Sequence, residues 1–254
     1  LFHGGILLAT VAAAVTLFYV FALLRRFFRP DQALLGTLLV AVNPTFVQYT
    51  YSAGTDMVFN AFVMSSAFLL FSREQFQRRT IIASAVLAGI AYLLRYNGIF
   101  VVVAIPVILL LINPYNQSRR EQLLASGIFL GAFFLTVAPW GIYCLVEKGS
   151  FFYNKNYLNI AYEMFGKGKM GWDQYWSVES QRYSTLTQVV FSDFGLFVRT
   201  VIGNVFDHGI SDLGKLLGWH TGVFVIAGII LLLREKPTVL LTGFLLYSLM
   251  FFSI

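Results

Sequence analysis

Asp56 and Arg95 are isolated charges, each set against long apolar runs. Asp56 closes the segment Tyr51-Ser52-Ala53-Gly54-Thr55-Asp56, and Arg95 sits in Leu94-Arg95-Tyr96-Asn97-Gly98. A carboxylate can exchange protons, cap a helix or pair with a cation. A guanidinium is a planar fork of donors that matches a phosphate or carboxylate bidentately, which an ammonium cannot do. Together they suit the handling of an anionic substrate, provided the chain holds them in a place with few competing charges.

The elements around them are apolar and repeated. Runs cover residues 6–24, 33–47, 57–71, 81–94, 98–112, 122–146, 216–233 and 238–254, in a chain that is 58% hydrophobic, 17% aromatic and only 12% charged. A soluble domain carries about a quarter charged residues. Ten of the eighteen Lys and Arg residues fall in four clusters: Arg25, Arg26 and Arg29; Arg73, Arg78 and Arg79; Arg119 and Arg120; Arg234 and Lys236. These occupy every second gap between runs; with the four acids of the same gaps, Asp31, Glu74, Glu121 and Glu235, they sum to the whole formal charge of +6, and the eight bases and eight acids elsewhere cancel. Such alternation marks a multispan membrane protein with the clusters on the cytoplasmic side. It also removes the case for a nucleic-acid surface.

The expected fold class is therefore all-α: a polytopic transmembrane bundle of eight spans, with interfacial helices in one long external loop. Residues 1–146 form a core of six spans, 147–215 the external region and 216–254 two further spans. The chain starts without Met and ends inside an apolar run, so it reads as a fragment. In residues 147–215, Tyr157, Ile160, Ala161, Met164 and Phe165 share a helical face opposite Asn156, Asn159 and Glu163. That pattern fits a helix on the outer leaflet, as does 189–206, or helices packed on the bundle's end. Trp140, Tyr143, Trp172, Trp176 and Trp219 read as an aromatic belt, although aromatic faces also stack on sugar rings.

Depth makes Arg95 informative. Fourteen residues of helix rise about 21 Å against an apolar bilayer thickness of about 30 Å, so a hairpin of short spans leaves its tip below the outer interface. A cation there needs water, a carboxylate such as Asp56, or an anionic headgroup. Asp56, for its part, could simply cap the helix beginning beside it. His3, His208 and His220 are scattered without metal-ligand spacing, and Asp207-His208 alone is a weak metal candidate. No cofactor is implied with certainty and a divalent metal stays open. No phosphate-cradling glycine loop occurs, and the single cysteine, Cys144, can form no internal disulfide.

Residues 52–56 (Ser-Ala-Gly-Thr-Asp), the cytoplasmic Arg cluster, and residues 87–98 (Leu-Ala-Gly-Ile-Ala-Tyr-Leu-Leu-Arg-Tyr-Asn-Gly) resemble the multispan GT-C glycosyltransferases, in the branch of protein mannosyltransferases and lipid A aminoarabinose transferases. The likeness covers about residues 5–165, with residues 156–163 as softer support. It implies transfer of a sugar from a polyprenyl-phosphate carrier to a lipid, glycan or protein acceptor outside a bacterial or archaeal plasma membrane. It also implies membrane lipids as neighbours. Asp56 then matches an acid of the active-site cavity, distinct from the family's base in its first external loop. That loop is expected to be lacking here. Arg95, with Tyr96 and Asn97 beside it, matches a basic position facing the carrier phosphate. The competing class is a transporter or lipid flippase, which also places charges at membrane depth but should show related halves and broken helices in corresponding positions.

The charge alternation predicts that single-cysteine probes in intact cells label at Ser177 and stay silent at Ser118. Equal labelling at the two positions would overturn the topology.

Overall fold

The computed structural model describes residues 2–71, 77–179, 181–211, 214, 219–236, 238 and 243. Among them every regular element is helical. The first half of the chain gives α1 (Phe2–Phe27), α2 (Pro30–Ala41), α3 (Pro44–Thr50), α4 (Asp56–Phe71), α5 (Arg78–Leu94), α6 (Gly98–Leu111) and α7 (Arg119–Lys148). Helices are the natural outcome for apolar runs, since a bilayer offers no water to satisfy backbone groups.

Among the described residues two helices, α1 and α7, are long and apolar enough to cross a membrane alone. Two bent pairs raise the number to four if each pair is one span. Helix length among the described residues thus does not confirm the eight crossings expected from charge alternation: α4 and α6 have only 16 and 14 residues, and the last two expected runs are described only in part. The expected run 33–47 is broken at Asn43-Pro44, where α2 and α3 diverge by 66°. Pro44 has no N–H to continue the α2 ladder, and the Asn43 side chain accepts from Phe46 N at 3.1 Å to start a new helix. The Arg73–Glu74 part of the second basic cluster, the first residues of the run at 216–233 and nearly all of 238–254 lie outside the described residues.

The helices alternate in direction. Thr10 near the start of α1 reaches the Thr50 carbonyl at 3.2 Å, close to the start of α4. At the far end the Tyr115 hydroxyl donates to the Leu70 carbonyl, and Lys236 Nζ donates to the Phe27 carbonyl. Arg119 donates to the Leu110 carbonyl at 2.8 Å. The described residues of all four basic clusters therefore lie at one end of the bundle, and Asp56 and Arg95 lie at the other.

Small residues let the helices approach. Ala9, Ala12 and Ala13 of α1 are buried against Met57 and Ala61 of α4. Between α4 and α5, Ser66 and Ser84 are fully buried and bond reciprocally: Ser66 Oγ to Ser84 O at 2.8 Å, Ser84 Oγ to Ser66 O at 2.9 Å. Apolar contact gives little driving force between helices in lipid, so close packing and such hydrogen bonds carry the association. Large apolar residues such as Leu7, Val11 and Phe18 remain exposed on the outside, as a lipid-facing surface requires.

After α7 the chain folds a second, smaller core. It comprises α8 (Tyr157–Ala161), a π turn (Tyr162–Gly166), α9 (Trp172–Glu179), α10 (Leu186–Ser192) and α11 (Phe194–Ser211). The apolar face of the 157–165 stretch does not lie open for a leaflet. Ala161 and Met164 are buried with Tyr175, Tyr183 and Val189, and Tyr157, Ile160 and Phe165 pack on them. The open apolar stripe sits on α11 instead, where Phe194, Val198, Ile202 and Phe206 are exposed at four-residue spacing. Beyond the second core, α12 (Trp219–Glu235) completes the described helices.

Ser66→Ala and Ser84→Ala should each lower stability in lipid or detergent by about 0.6–1.7 kcal/mol. The double variant should lose less than the sum of the two, because the first removal already breaks the reciprocal pair. Thermal unfolding of the purified protein checks both points.

Candidate active site

The loop between α5 and α6 is a tight, backbone-bonded turn. Arg95 N donates to Ala91 O and Gly98 N donates to Arg95 O, both at 2.9 Å. Arg95 leaves the helix with extended dihedrals, φ −149° and ψ 133°, which swings its side chain off the α5 axis. Gly98 begins α6 pressed on the preceding helix: a Cβ there would stand 2.5 Å from Tyr92 N and Cα. Only glycine permits that approach, so Gly98 fixes where Arg95, Tyr96 and Asn97 sit.

Asp56 opens α4, where a carboxylate is favoured by the positive end of the helix dipole. Its side chain forms an ion pair with the Arg95 guanidinium. The two side chains are 33% and 38% exposed, so the pair is half-buried and still reached by solvent. Of the alternatives open from sequence, pairing between the two is thus realised, and it ties the start of α4 to the α5–α6 tip.

Both residues line a cavity of about 970 Å³, together with Tyr96 and Asn97. The structure therefore brings all four expected site residues to one place. The size is at the upper end of ligand clefts, about 300–1,000 Å³. Its inner wall comes from the ends of α3, α4 and α5, and its outer wall from the second core: Asn156, Asn159, Tyr162, Glu163, Lys167 and Trp172, with Asn204 of α11. Glu163 and Lys167 form an ion pair at 2.5 Å. Each of the lining cations, Arg95 and Lys167, thus has a carboxylate partner. A smaller cavity of about 570 Å³ adjoins this one across Tyr96, Asn97, Asn156 and Asn159, and adds Lys148, Tyr153 and Tyr157.

The outer wall has no local signature in the sequence. Asn156, Asn159 and Glu163 read from the sequence as one polar face, and the structure turns that face to the cavity. Asn60, a polar residue inside the apolar run 57–71, is the sequence signal for the inner wall. For the metal candidate the structure offers no support: among the described residues no three His, Cys, Asp or Glu side chains converge. Asp207 is exposed, and the His208 side chain lies outside the described residues.

The sequence profile of dolichyl-phosphate-mannose-protein mannosyltransferases matches residues 2–143, more than half of the chain. The chain belongs to this family. It is a membrane glycosyltransferase of mannosyltransferase type, and the matched stretch carries Asp56, Arg95, Tyr96 and Asn97. No curated protein and no solved structure matches the chain. The second core, with Glu163, Lys167 and Trp172, lies beyond the matched stretch.

Gly98→Ala should displace the α5–α6 tip, lowering stability by about 1–3 kcal/mol as for an overpacked site. At temperatures where the variant remains folded, it should also lose transferase activity. A variant as stable and as active as the parent would show that the tip tolerates a Cβ.

Proposed function

We propose that the chain transfers a sugar from a polyprenyl-phosphate carrier to an acceptor at the external face of the membrane, with Arg95 receiving the carrier phosphate. The observation that carries this reading is the half-buried Arg95–Asp56 pair on the wall of the large cavity. A guanidinium has five N–H donors. A carboxylate partner engages only part of that fork, leaving donors for a phosphate. Asp56 acts as an orienting acid that holds the fork at the cavity wall, and Tyr96 and Asn97 supply neighbouring polar contacts.

The reaction follows from what such a donor must do. The acceptor oxygen or nitrogen attacks the anomeric carbon and forms the new glycosidic bond, while the bond from that carbon to the phosphate oxygen breaks. Its electron pair leaves with the phosphate, and the acceptor's proton passes to a carboxylate base. Attack opposite the leaving group inverts the anomeric centre. The phosphate gains a negative charge as it departs, and a fixed cation beside it stabilises that charge more in the transition state than in the ground state. The family description names a dolichyl-phosphate mannose donor and a protein acceptor. For this chain we take the lipid-phosphate sugar as donor, and a hydroxyl- or amine-bearing lipid, glycan or protein as acceptor.

Sugar transfer from polyprenyl-phosphate mannose by the full-length protein in lipid tests the proposal. Arg95→Lys should keep part of the donor use and Arg95→Ala should lose about ten- to a hundredfold, the worth of a charge-assisted hydrogen bond. Asp56→Asn should reduce transfer sharply at an unchanged protein level, because Asn caps a helix about as well but cannot hold a guanidinium by charge. Unaltered donor dependence in Arg95→Ala would remove Arg95 from the site.

A further inference from the structure

Trp172 has features that an interfacial belt residue does not need. Its indole N–H is not left for lipid headgroups or water but donates to Asn159 Oδ1 at 3.0 Å. One face is covered by Trp176, stacked with ring centroids 4.9 Å apart and planes 29° apart. Trp176 is not among the residues lining the large cavity, whereas Trp172 and Asn159 are. What Trp172 offers the cavity is therefore ring surface held rigid from behind and pinned at its polar edge, and it stays 43% exposed. Around it the same cavity carries five asparagines: Asn60, Asn97, Asn156, Asn159 and Asn204. Each amide presents a donor and an acceptor side by side, the complement of neighbouring sugar hydroxyls. Bonding to Trp172 engages the oxygen of Asn159 and leaves its NH₂ group.

We propose that Trp172 is a sugar-docking platform, on which a pyranose ring stacks its C–H face while cavity asparagines bond its hydroxyls. Hydrophobic C–H groups cover a flat indole without desolvating the hydroxyls around the ring's edge. The platform stands on the outer wall, across the cavity from the Arg95–Asp56 pair on the inner one. It selects for a sugar while the inner wall handles charge. This inference rests on the glycosyltransferase reading for its role in transfer. The ring that docks is either the donor's own sugar or a glycan unit of the acceptor.

Two measurements on the full-length protein in lipid nanodiscs test it. In saturation-transfer NMR, methyl α-glycosides of mannose, glucose and galactose serve as probes. At least one should receive saturation on its ring protons from the wild-type protein, lose it with Trp172→Ala and keep it with Trp172→Phe. Absence of saturation in the wild type, or equal saturation in all three proteins, overturns the platform. This readout needs no catalysis, so it decides the platform even if no polyprenyl-phosphate sugar is transferred, an outcome that would sink the proposed function alone. In transfer kinetics, Trp172→Ala should raise one KM about two- to tenfold with kcat largely kept. A rise in the KM for polyprenyl-phosphate mannose assigns the platform to the donor sugar, and a rise in that for a mannosylated acceptor peptide assigns it to the acceptor. Binding of sugar-free polyprenyl phosphate should be unchanged in both variants. A loss there equal to the loss of sugar binding would make Trp172 a structural belt residue and overturn the proposal.

Discussion

The ion pair between Arg95 and Asp56 is the constraint that the packing of α4 on α5 has to meet. A guanidinium at the end of a short apolar helix is costly unless something answers its charge. Asp56 answers it from the first turn of α4, a position that the helix dipole already favours for a carboxylate. The pair can form only if α4 and α5 lie close and in register. That register is set lower in the bundle by the buried Ser66–Ser84 hydrogen bonds and by alanines that let the backbones approach. Gly98 then turns the chain tightly enough to hold Arg95 at the tip. Packing deep in the apolar layer therefore determines the geometry of a polar site at its edge.

A charged pair alone would make a structural staple. It becomes a candidate site because the second core stands across from it and encloses a volume between them. That core is stabilised by ordinary apolar burial around Ala161, Tyr175 and Val189, so its α8 helix has a free polar face. The face supplies Asn156, Asn159 and Glu163 to the cavity. The two walls are stabilised differently, by close interhelical packing and hydrogen bonds on one side and by a small hydrophobic core on the other. They also bring different chemistry, charge from the inner wall and mainly amides and aromatic rings from the outer.

Much of the inner wall was legible in the sequence because it depends on local punctuation. The ends of α4, α5, α6 and α7 fall within a few residues of the runs drawn by hydropathy, and Asp56 and Arg95 stand out there as lone charges. The break in the second run was written in Asn43-Pro44, yet hydropathy averages over it because a proline changes backbone bonding more than polarity. The number of crossings was less legible still. Charge alternation reports which side a gap lies on, whereas crossing depends on helix length, and the two disagree for segments of 14 to 17 residues. The outer wall needed a fact that no local pattern holds. Asn159 and Asp56 are about a hundred positions apart, and only the fold-back after α7 shows that the polar face of α8 looks at a cavity and not at water.

The charge balance of the cavity bears on how such a site could turn over. Two lining cations, each with its own carboxylate, leave these four groups neutral together. A site with a strong excess of positive charge would bind a departing lipid phosphate tightly and release it slowly, since the product carries more negative charge than the donor did. Pairing moderates that hold. In the proposed reaction a singly charged phosphate would compete with Asp56 for Arg95, and as it gained charge the competition would shift in its favour. On its departure the carboxylate would take the guanidinium back, restoring the pair that the structure shows. In that proposed role Asp56 would favour charge stabilisation in the transition state over uniform binding of every phosphate that enters, which is the condition for faster chemistry and not merely tighter association.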